Sequence, residues 1–463
     1  MTLGELIDNR DIVVLSTGRT DPFFHAVANR IVELYGDKRV IIAQEGAQGR
    51  LRVARHKHDD AETEPKFVFA HEYQHNPGDA LAGRKVLVVS TQGMNPSFMD
   101  DFDFLALYQR TADSVRPEDR GLVMRLLRHG FVRSVSEASD AKLAWIDNAR
   151  ENGADEIHVI EPYSFRQSSD RGPVSRENRR IQERGDAERA KLDGQSPGLV
   201  LEARFEADAC VASKVVHHSH SPEDMTYAYR RAGVRLVQLD PAPIMASIIR
   251  SREEQALAQG QPRKAVLLVP DLGAVHLGMS IFESLGLDYF SFIIVRDKRK
   301  RGAQTIGVDL GERSTNYEGC EGARVYCCDD QIRSAATMRV GLGTLVKEEG
   351  IPLVYAAIAS HGDLRSATTQ KNLAAYDVDG AQVPIEVYTT LSKPQVIHVC
   401  GTLQDTTTLV NTGRLLGDAA VRGLLHGQRL EGVYTREVIE AERLYTLAPA
   451  KQMYDAFIAS LRR

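Results

Sequence analysis

The sequence predicts an α/β fold built on parallel β-sheets. Short apolar runs recur along the 463 residues, and most are followed by a segment with apolar residues at helical spacing. Strands and helices that alternate in this way form parallel sheets covered by helices on both faces. The predicted strands are residues 11–16, 39–43, 85–90, 156–161, 213–217, 265–269, 290–295, 323–328 and 353–360.

The first strand leads into an amphipathic helix at residues 21–35. Its apolar side chains recur every three or four positions and form one face: Phe24, Val27, Ala28, Ile31, Val32 and Tyr35. This is a βα unit. Further along, residues 94–152 have a helical pattern throughout, which predicts a helical insertion at about 95–150 in the first domain.

A polar stretch at residues 251–264 is the best candidate for a linker between two domains. We therefore predict a first domain at 1–250, a second at 265–431, and a helical C-terminal extension at 432–463. Residues 170–194 are almost uniformly charged. Two interpretations are open for them: a solvated loop, or a charged flap over bound phosphates.

Composition excludes several classes of protein. The net charge of −5 gives no broad basic field for nucleic acid, and 43% hydrophobic with 26% charged residues is typical of a globular protein. No apolar stretch approaches the roughly 20 residues of a membrane span, and the acidic start is unlike a signal peptide. We expect a cytoplasmic protein without a membrane or nucleic-acid partner. The five cysteines form no CxxC pair and are predicted to be reduced core residues.

The segment RVYCCDDQIRSAAT at residues 324–337 is the most informative for chemistry. It predicts a buried strand that ends in Asp329 and Asp330, then a turn of small residues, then a helix at about 338–348. The amides at the start of such a helix bind anions. Paired carboxylates beside them hold sugar hydroxyls or a hydrated magnesium ion.

This segment resembles the ribose-phosphate pyrophosphokinases, the phosphoribosyl pyrophosphate synthetase family, whose second domain reads strand, D-D-x-x-D-T-x-G-T, helix. Other segments keep the family's order: VLLVPDLGAVHLG at 266–278 is similar to S-P-D-x-G-G, and FIIVRDKRKRG at 292–302 to a strand ending in K-R-R. VYAAIASHGDLRSAT at 354–368 and TTLSKPQ at 389–395 continue the resemblance. It implies that Asp271 meets metal and pyrophosphate and that Lys298, or else Lys300 or Arg296, stabilises the transferred group.

The first domain carries two further resembling segments. EIHVIEPYSFRQSSDRG at 156–172 is similar to P-Y-x-x-x-A-R-Q-D, which implies nucleotide contacts for Arg166 and Gln167. SKVVHHSHSPED at 213–224 is similar to a strand ending in D-L-H, which implies that His220 approaches metal and phosphates. Two other interpretations of HHSH remain open: a transition-metal site, since imidazole suits zinc or nickel, and a structural or surface role.

The sugar-phosphate loop departs from the family at three positions. Arg333 stands at the third acid, Ser334 at a threonine and Ala336 at a glycine. Asp329, Asp330 and Thr337 are retained, and Ala335 occupies a variable position. Arginine in place of a carboxylate adds a bidentate phosphate ligand and removes an acceptor for a hydroxyl or hydrated metal.

The resemblance implies two phosphoribosyltransferase-like (type I) domains, each a mainly parallel sheet flanked by helices, with the helical insertion in the first. It implies transfer of the diphosphate of ATP to ribose 5-phosphate or a related phosphorylated sugar, giving phosphoribosyl pyrophosphate and AMP. Mg²⁺ is the implied cofactor, and a homo-oligomer, dimer or hexamer, the implied assembly. Two alternatives are open: a catalytically silent regulatory subunit, and a phosphoribosyltransferase.

Overall fold

The structure is a computed structural model of the whole chain. The residues described are 12–16, 22–36, 39–43, 51–57, 63–69, 81–90, 135–164, 198–270, 274–297, 306–310, 318–362, 364, 367–378, 380–390, 392, 406–427 and 444–446.

The chain forms two compact units. The first comprises residues 1–239 and 412–438, and the second comprises 240–411 and 439–463. This division differs from the sequence-based one, which placed residues 240–250 in the first domain and 412–431 in the second. The cause is side-chain packing, because helix Ala242–Ala258 contributes four residues to the core of the second unit.

The first unit contains a six-stranded sheet in the order β2-β1-β5-β6-β7-β8, in which every neighbouring pair is parallel. A separate antiparallel pair is formed by β3 and β4. In chain order the elements of this unit are β1 (Ile12–Ser16), α1 (Pro22–Tyr35), β2 (Val40–Ala43), β3 (Leu51–Lys57), β4 (Thr63–Phe69), β5 (Lys85–Val89), α2 (Val135–Glu151), β6 (Glu156–Glu161), α3 (Gly198–Asp208), β7 (Val211–His217), α4 (Pro222–Ala232) and β8 (Arg235–Leu239).

The second unit contains an eight-stranded sheet in the order β11-β10-β9-β12-β13-β16-β17-β18. Its inner six strands are parallel, and β11 and β18 run antiparallel at the edges. Its elements are α5 (Ala242–Ala258), β9 (Ala265–Val269), α6 (Val275–Leu285), β10 (Phe290–Asp297), β11 (Ile306–Leu310), β12 (Arg324–Ile332), α7 (Ala336–Glu349), β13 (Val354–Gly362), α8 (Ala367–Leu373), β14 (Tyr376–Val378), β15 (Ala381–Val383), β16 (Ile385–Thr390), β17 (Thr407–Val410) and β18 (Leu444–Thr446).

The α/β fold with two mainly parallel, helix-flanked sheets is confirmed, and each of the nine predicted strands is present within a few residues of its expected bounds. After β17 the chain forms α9 (Gly413–Ala419), which packs on α1 in the first unit, and a π-helical turn, Ala420–Leu425, which contacts β7. None of the helices among the residues described combines the length and apolar character needed to cross a membrane.

Several sequence predictions are corrected or fall outside the described residues. Cys320, Cys327 and Cys328 are buried as expected, but Cys210 is exposed, because it lies in the turn between α3 and β7 at a positive φ of 63°. Of the predicted insertion, Val135–Glu151 is helical and residues 95–134 lie outside the description. The charged stretch 170–194 also lies outside it. In the predicted helical extension, the described residues Leu444–Thr446 form a strand.

Gly278 brings α6 into direct contact with the second sheet. A Cβ atom at this position would lie 2.3 Å from Val269 Cγ2 on β9 and 3.2 Å from Phe292 Cε2 on β10. We expect Gly278→Ala to lower the free energy of unfolding by about 1–3 kcal/mol, measured by urea denaturation, because the added methyl overpacks the core.

The matched control for this substitution is Gly341→Ala on α7 in the same unit. There the nearest atom to an added Cβ is 3.8 Å away, which is an ordinary contact. Alanine is the better helix former by about 0.8–1.0 kcal/mol, so this variant should be neutral or more stable. Equal destabilisation of both variants would contradict the steric explanation.

Candidate functional site

The carboxyl ends of the parallel strands of the second unit meet at one edge of its sheet. There β9 ends at Val269, β10 at Asp297, β12 at Ile332 and β13 at Gly362. Ligand sites of open α/β sheets lie at this edge. Asp271 is the second residue after β9, and Lys298 is the first residue after β10. Both strands run toward this edge, so the chain arrives at it just before each of these residues. Both residues, and Lys300, lie outside the described residues.

Asp329 and Asp330 lie at this edge but do not terminate their strand. The sequence predicted that the strand ends at these acids, whereas β12 continues to Ile332 through pairing with β13. Because successive side chains of a strand alternate, the two carboxylates point to opposite faces. Asp330 lies on the face of Tyr326 and Cys328, which pack against α5 and α6. Both acids are partly exposed, and the Asp330 amide donates to Asp329 Oδ1 at 2.8 Å.

The loop between β12 and α7 is held in place by α8. Thr369 Oγ1 donates to the carbonyl of Arg333, and Asn372 Nδ2 donates to the carbonyl of Ser334 at 2.8 Å. Ala335 then adopts a left-handed conformation, with φ 55° and ψ 17°. For a residue other than glycine this conformation costs roughly 1–2 kcal/mol. Strain of this kind concentrates at functional sites, where the surrounding contacts maintain it.

The loop presents the start of α7 to its surroundings. The first helical amide, that of Ala336, donates to Ser334 Oγ at 3.3 Å, and no acidic side chain occupies the first turn. Ala336 and Thr337 are exposed. A helix start with its amides and positive dipole end accessible favours a phosphate group. The geometry of residues 333–337 therefore suits an anion.

Arg333 adds a cation to this loop. Its side chain is exposed, and its Nε donates to Gln331 Oε1 at 2.9 Å, which orients the guanidinium. A guanidinium fixed in this way can bind a phosphate or carboxylate with two parallel hydrogen bonds. The loop thus combines helix amides and a cation, with the two aspartates three and four residues before Arg333.

Buried hydroxyl groups support the neighbouring strand ends. His361 Nδ1 lies 2.6 Å from Ser392 Oγ, and Thr390 Oγ1 donates to the carbonyl of Ser360. A Cβ atom on Gly362 would lie 2.7 Å from Thr389 Oγ1, so glycine permits this close approach of β13 and β16. The predicted segments 354–368 and 389–395 are therefore adjacent in the fold, which their sequence separation did not reveal.

The three histidines of HHSH have different environments. His217 is fully buried, and burial together with neighbouring His218 lowers its pKa to about 3. His218 is half-buried and His220 is exposed, just beyond the carboxyl end of β7 in the first unit. Among the residues described, no group of three metal-ligating side chains includes a histidine. The transition-metal interpretation therefore gains no support. For His220 the structure gives only its location, at the edge of the sheet formed by the carboxyl ends of the strands.

Other expectations for the first unit are not tested by the geometry. Arg166 and Gln167 lie outside the described residues, and the description of this segment stops at Ser164 after β6. Sequence analysis missed a cluster of buried lysines and glutamates that surrounds the end of β6. Its signal was available, because Glu161 stands in an apolar strand where a charged side chain is unexpected.

Comparison with known proteins identifies the fold. No protein-family model matches the sequence, and no curated protein matches it significantly. The structure is similar to that of phosphoribosylpyrophosphate synthetase from Mycobacterium smegmatis, with a TM-score of 0.55 and 15% identity over 90% of this chain and 100% of that chain. This chain has the two-domain phosphoribosyltransferase fold. At 15% identity the similarity establishes the fold alone.

Solved structures of phosphoribosyltransferases also have some similarity. Hypoxanthine phosphoribosyltransferase from Trypanosoma cruzi, in complex with the product IMP, gives a TM-score of 0.20 and 14% identity over 27% of this chain and 67% of that chain. A score this low carries no argument about substrate or reaction.

Proposed function

We propose that the protein transfers the diphosphate group of ATP to ribose 5-phosphate or a related phosphorylated sugar, giving phosphoribosyl pyrophosphate and AMP. The observation that supports this proposal is the loop at residues 333–337, whose geometry suits an anion and which follows Asp329 and Asp330, in a chain whose two-unit fold resembles phosphoribosylpyrophosphate synthetase. The accessible start of α7 would bind the sugar phosphate, and the aspartates would bind sugar hydroxyls or hydrated metal.

The other roles follow from the family resemblance of the sequence. Arg166 and Gln167 would contact the nucleotide, His220 and Asp271 would lie at the metal and phosphates, and Lys298 or Lys300 would stabilise the transferred group. A homo-oligomer and a cytoplasmic location remain predictions on the same basis. Diphosphate transfer depends on positioning and on neutralising charge, so it requires no nucleophilic serine or cysteine.

Mg²⁺ fits the side chains at this edge. Asp329 and Asp330 are partly exposed carboxylates, and Mg²⁺ is usually bound by one or two carboxylates together with substrate phosphates. When bound, the ion would reduce the negative charge of the phosphates. The protein's own side chains would orient the acceptor, supply the cation at Arg333 and hold the loop rigid through Thr369 and Asn372.

Arg333 favours a second candidate, a regulatory subunit without catalytic activity. A cation at the position of the family's third acid could bind the sugar phosphate or a phosphate effector while weakening contacts to the sugar hydroxyls. A phosphoribosyltransferase is disfavoured, because the nucleotide-side and sugar-side segments lie in different units.

The test is to incubate the purified protein with ATP, magnesium and ribose 5-phosphate and to follow AMP and phosphoribosyl pyrophosphate by mass spectrometry. We expect equal amounts of both products from the wild type and strongly reduced amounts from Asp330→Asn. The matched control is Asp288→Asn in the same unit, whose carboxylate is 86% exposed and paired only with exposed Arg263 among the residues described. This variant should keep full activity.

Absence of AMP with ribose 5-phosphate and with other phosphorylated pentoses would reject the catalytic proposal. Ribose 5-phosphate binding without turnover, lost in Arg333→Asp and measured by calorimetry, would then support the regulatory subunit.

A further inference from the structure

The loop between β12 and α7 contains a residue in an unfavourable backbone conformation. Ala335 has φ 55° and ψ 17°, and its side chain is 6% exposed. It is one of two residues other than glycine with a positive φ in the part of the chain that the structure describes. A left-handed conformation is costly for alanine and is common only for glycine. Contacts from outside the residue must therefore maintain it.

Two peptide groups of this loop are held by side chains of α8. Thr369 Oγ1 donates to the carbonyl of Arg333, and Asn372 Nδ2 donates to the carbonyl of Ser334 at 2.8 Å. Thr369 is fully buried, and Asn372 is partly buried. The donors and acceptors are 36 and 38 residues apart in the sequence, so the loop does not supply these contacts itself.

The peptide groups on both sides of Ala335 are fixed. Asn372 holds the group before it through the carbonyl of Ser334. The helix holds the group after it, because the Arg339 amide donates to the carbonyl of Ala335 at 2.9 Å. With both groups held, φ and ψ of Ala335 are determined. The helix by itself holds only the second group, so the contact from α8 is needed to fix φ.

The conformation of Ala335 shapes the anion site. A left-handed residue beside a right-handed one turns successive backbone amides toward one side, which forms a concavity that binds anions. Ala335 is followed directly by the first residue of α7, so the amides of residues 335–337 have this arrangement. If Ala335 changed to a right-handed or extended conformation, the concavity would be lost.

A buried amide beside the loop is an independent indication of a ligand. Gln331 is 8% exposed, and its Oε1 accepts a hydrogen bond from Nε of Arg333 at 2.9 Å, which places the amide at the loop. Nε2 of Gln331 is buried and has no hydrogen-bond partner among the residues described. An unsatisfied buried donor is unfavourable, and a ligand with acceptor oxygens, such as a phosphate, would remove this cost.

We propose that Thr369 and Asn372 are positioning residues of the anion site, and that α8 thereby sets the affinity of this site for a phosphate monoester. With the two contacts, the loop stays in its binding conformation. Without them, Ala335 relaxes and most molecules lack the concavity. The inference rests on the proposed function, because a sugar phosphate is the ligand expected at this loop. It extends that function by assigning control of the affinity to residues that act through Ala335.

The alternative is that the loop and α7 impose the conformation of Ala335 without help from α8. The Ala336 amide donates to Ser334 Oγ at 3.3 Å, and this bond joins groups on either side of Ala335. If it were sufficient, the contacts from Thr369 and Asn372 would be incidental. Their removal would then leave the affinity for phosphate unchanged.

The test is calorimetric titration of the full chain with ribose 5-phosphate and, separately, with inorganic phosphate. Asn372→Ala removes one donor, and Thr369→Val removes the other while keeping the shape of the side chain. We expect each variant to raise the dissociation constant about tenfold, which corresponds to 1.4 kcal/mol. This lies within the cost of a left-handed alanine, and the apparent affinity falls with the fraction of molecules in the binding conformation.

The matched control is Thr368→Val, which changes the neighbouring threonine of the same helix. Thr368 is exposed, whereas Thr369 is fully buried. This variant should keep the affinity of the wild type. Circular dichroism in urea establishes that each variant is folded before its affinity is compared.

The decisive variant is Ala335→Gly, because glycine adopts a left-handed conformation about as readily as a right-handed one. Alone it should change the dissociation constant by at most about twofold, since the contacts from α8 already hold the loop. Combined with Asn372→Ala, it should return the dissociation constant to within about twofold of the wild type. A general loss of packing in Asn372→Ala would not be repaired by removing a second buried methyl group.

Wild-type affinity in both Asn372→Ala and Thr369→Val would overturn the proposal. A double variant that binds as weakly as Asn372→Ala would also overturn it, as would a wild type that binds neither ribose 5-phosphate nor phosphate. The expected pattern of binding without formation of AMP would reject the proposed reaction and leave this inference standing. The failure of one is therefore distinguishable from the failure of the other.

Discussion

Replacing Arg324 by methionine is expected to lower the free energy of unfolding of the second unit by about 3–5 kcal/mol, the usual cost of breaking a buried ion pair. Arg324 Nε and Nη2 each donate to a different oxygen of Glu253 at 2.6 Å, and both side chains are 1% exposed. Without the guanidinium the carboxylate would remain buried and unpaired. Tyr326, which donates to Glu253 Oε1 at 2.5 Å, cannot supply the missing positive charge.

The position of the pair explains the size of this effect. Arg324 begins β12 and Glu253 lies on α5, so the contact fixes the helix against the centre of the sheet, at the end opposite the candidate site. The Arg324 guanidinium also donates to the carbonyl of Pro262 in the connection between α5 and β9. Loss of the arginine therefore affects a helix, a strand and the segment that joins them.

The measurement is urea denaturation followed by far-ultraviolet circular dichroism. Asp288→Asn is the control, because it removes an exposed ion pair of the same unit and should cost less than about 1 kcal/mol. The double variant Arg324→Met, Glu253→Leu should recover most of the lost stability, because it leaves no unpaired charge. A single variant as stable as the wild type would show that the pair contributes little.

Replacing Lys298 by alanine is expected to lower the turnover number by about two to three orders of magnitude, the usual cost of removing one group that stabilises a transition state. The expectation rests on the proposed reaction. Lys298 directly follows β10, which is parallel to β9, and β9 is parallel to β12. The chain therefore reaches Lys298 from the edge of the sheet at which Asp329 and Asp330 lie.

The effect should appear in the turnover number and leave nucleotide affinity nearly unchanged, because an interaction made only in the transition state does not affect ground-state binding. Initial rates at varied ATP and ribose 5-phosphate measure the first quantity, and calorimetry measures the second. Lys347→Ala, in the last turn of α7, is the control and should retain activity. Unchanged turnover in Lys298→Ala would remove this lysine from the site, and Lys300→Ala would then be tested.

Local sequence patterns were sufficient to predict the sheets and much of the candidate loop. Apolar runs such as 265–269 and 323–328 predicted strands because a strand buried on both faces requires continuous apolar residues. The transition from β12 through a small-residue turn to α7 was also predictable, because turn and helix signals lie within a few neighbouring residues. Strands β8 and β17 were missed, since each has only two consecutive apolar residues and so gives no longer apolar run.

Features that depend on distant residues were decided by the tertiary structure. Pairing with β13 extends β12 beyond Asp329 and Asp330, and this separates the two carboxylates onto opposite faces. Contacts from Thr369 and Asn372 hold Ala335 in a conformation that its own sequence disfavours. The packing of α9 on α1 assigns residues 412–427 to the first unit, although they follow the last parallel strand of the second.

The sequence by itself determined the α/β class, the parallel strands and the chemical character of the loop at 329–337, because each follows from the order of residues within a short segment. Only the tertiary structure decided which side chains share an environment. A cluster of buried lysines and glutamates in the first unit joins residues 142, 161, 202, 206 and 214, which have unrelated local patterns. Folding removes these charges from water together, so each must be paired with an opposite charge in the interior. This pairing cannot be recognised before the fold is known.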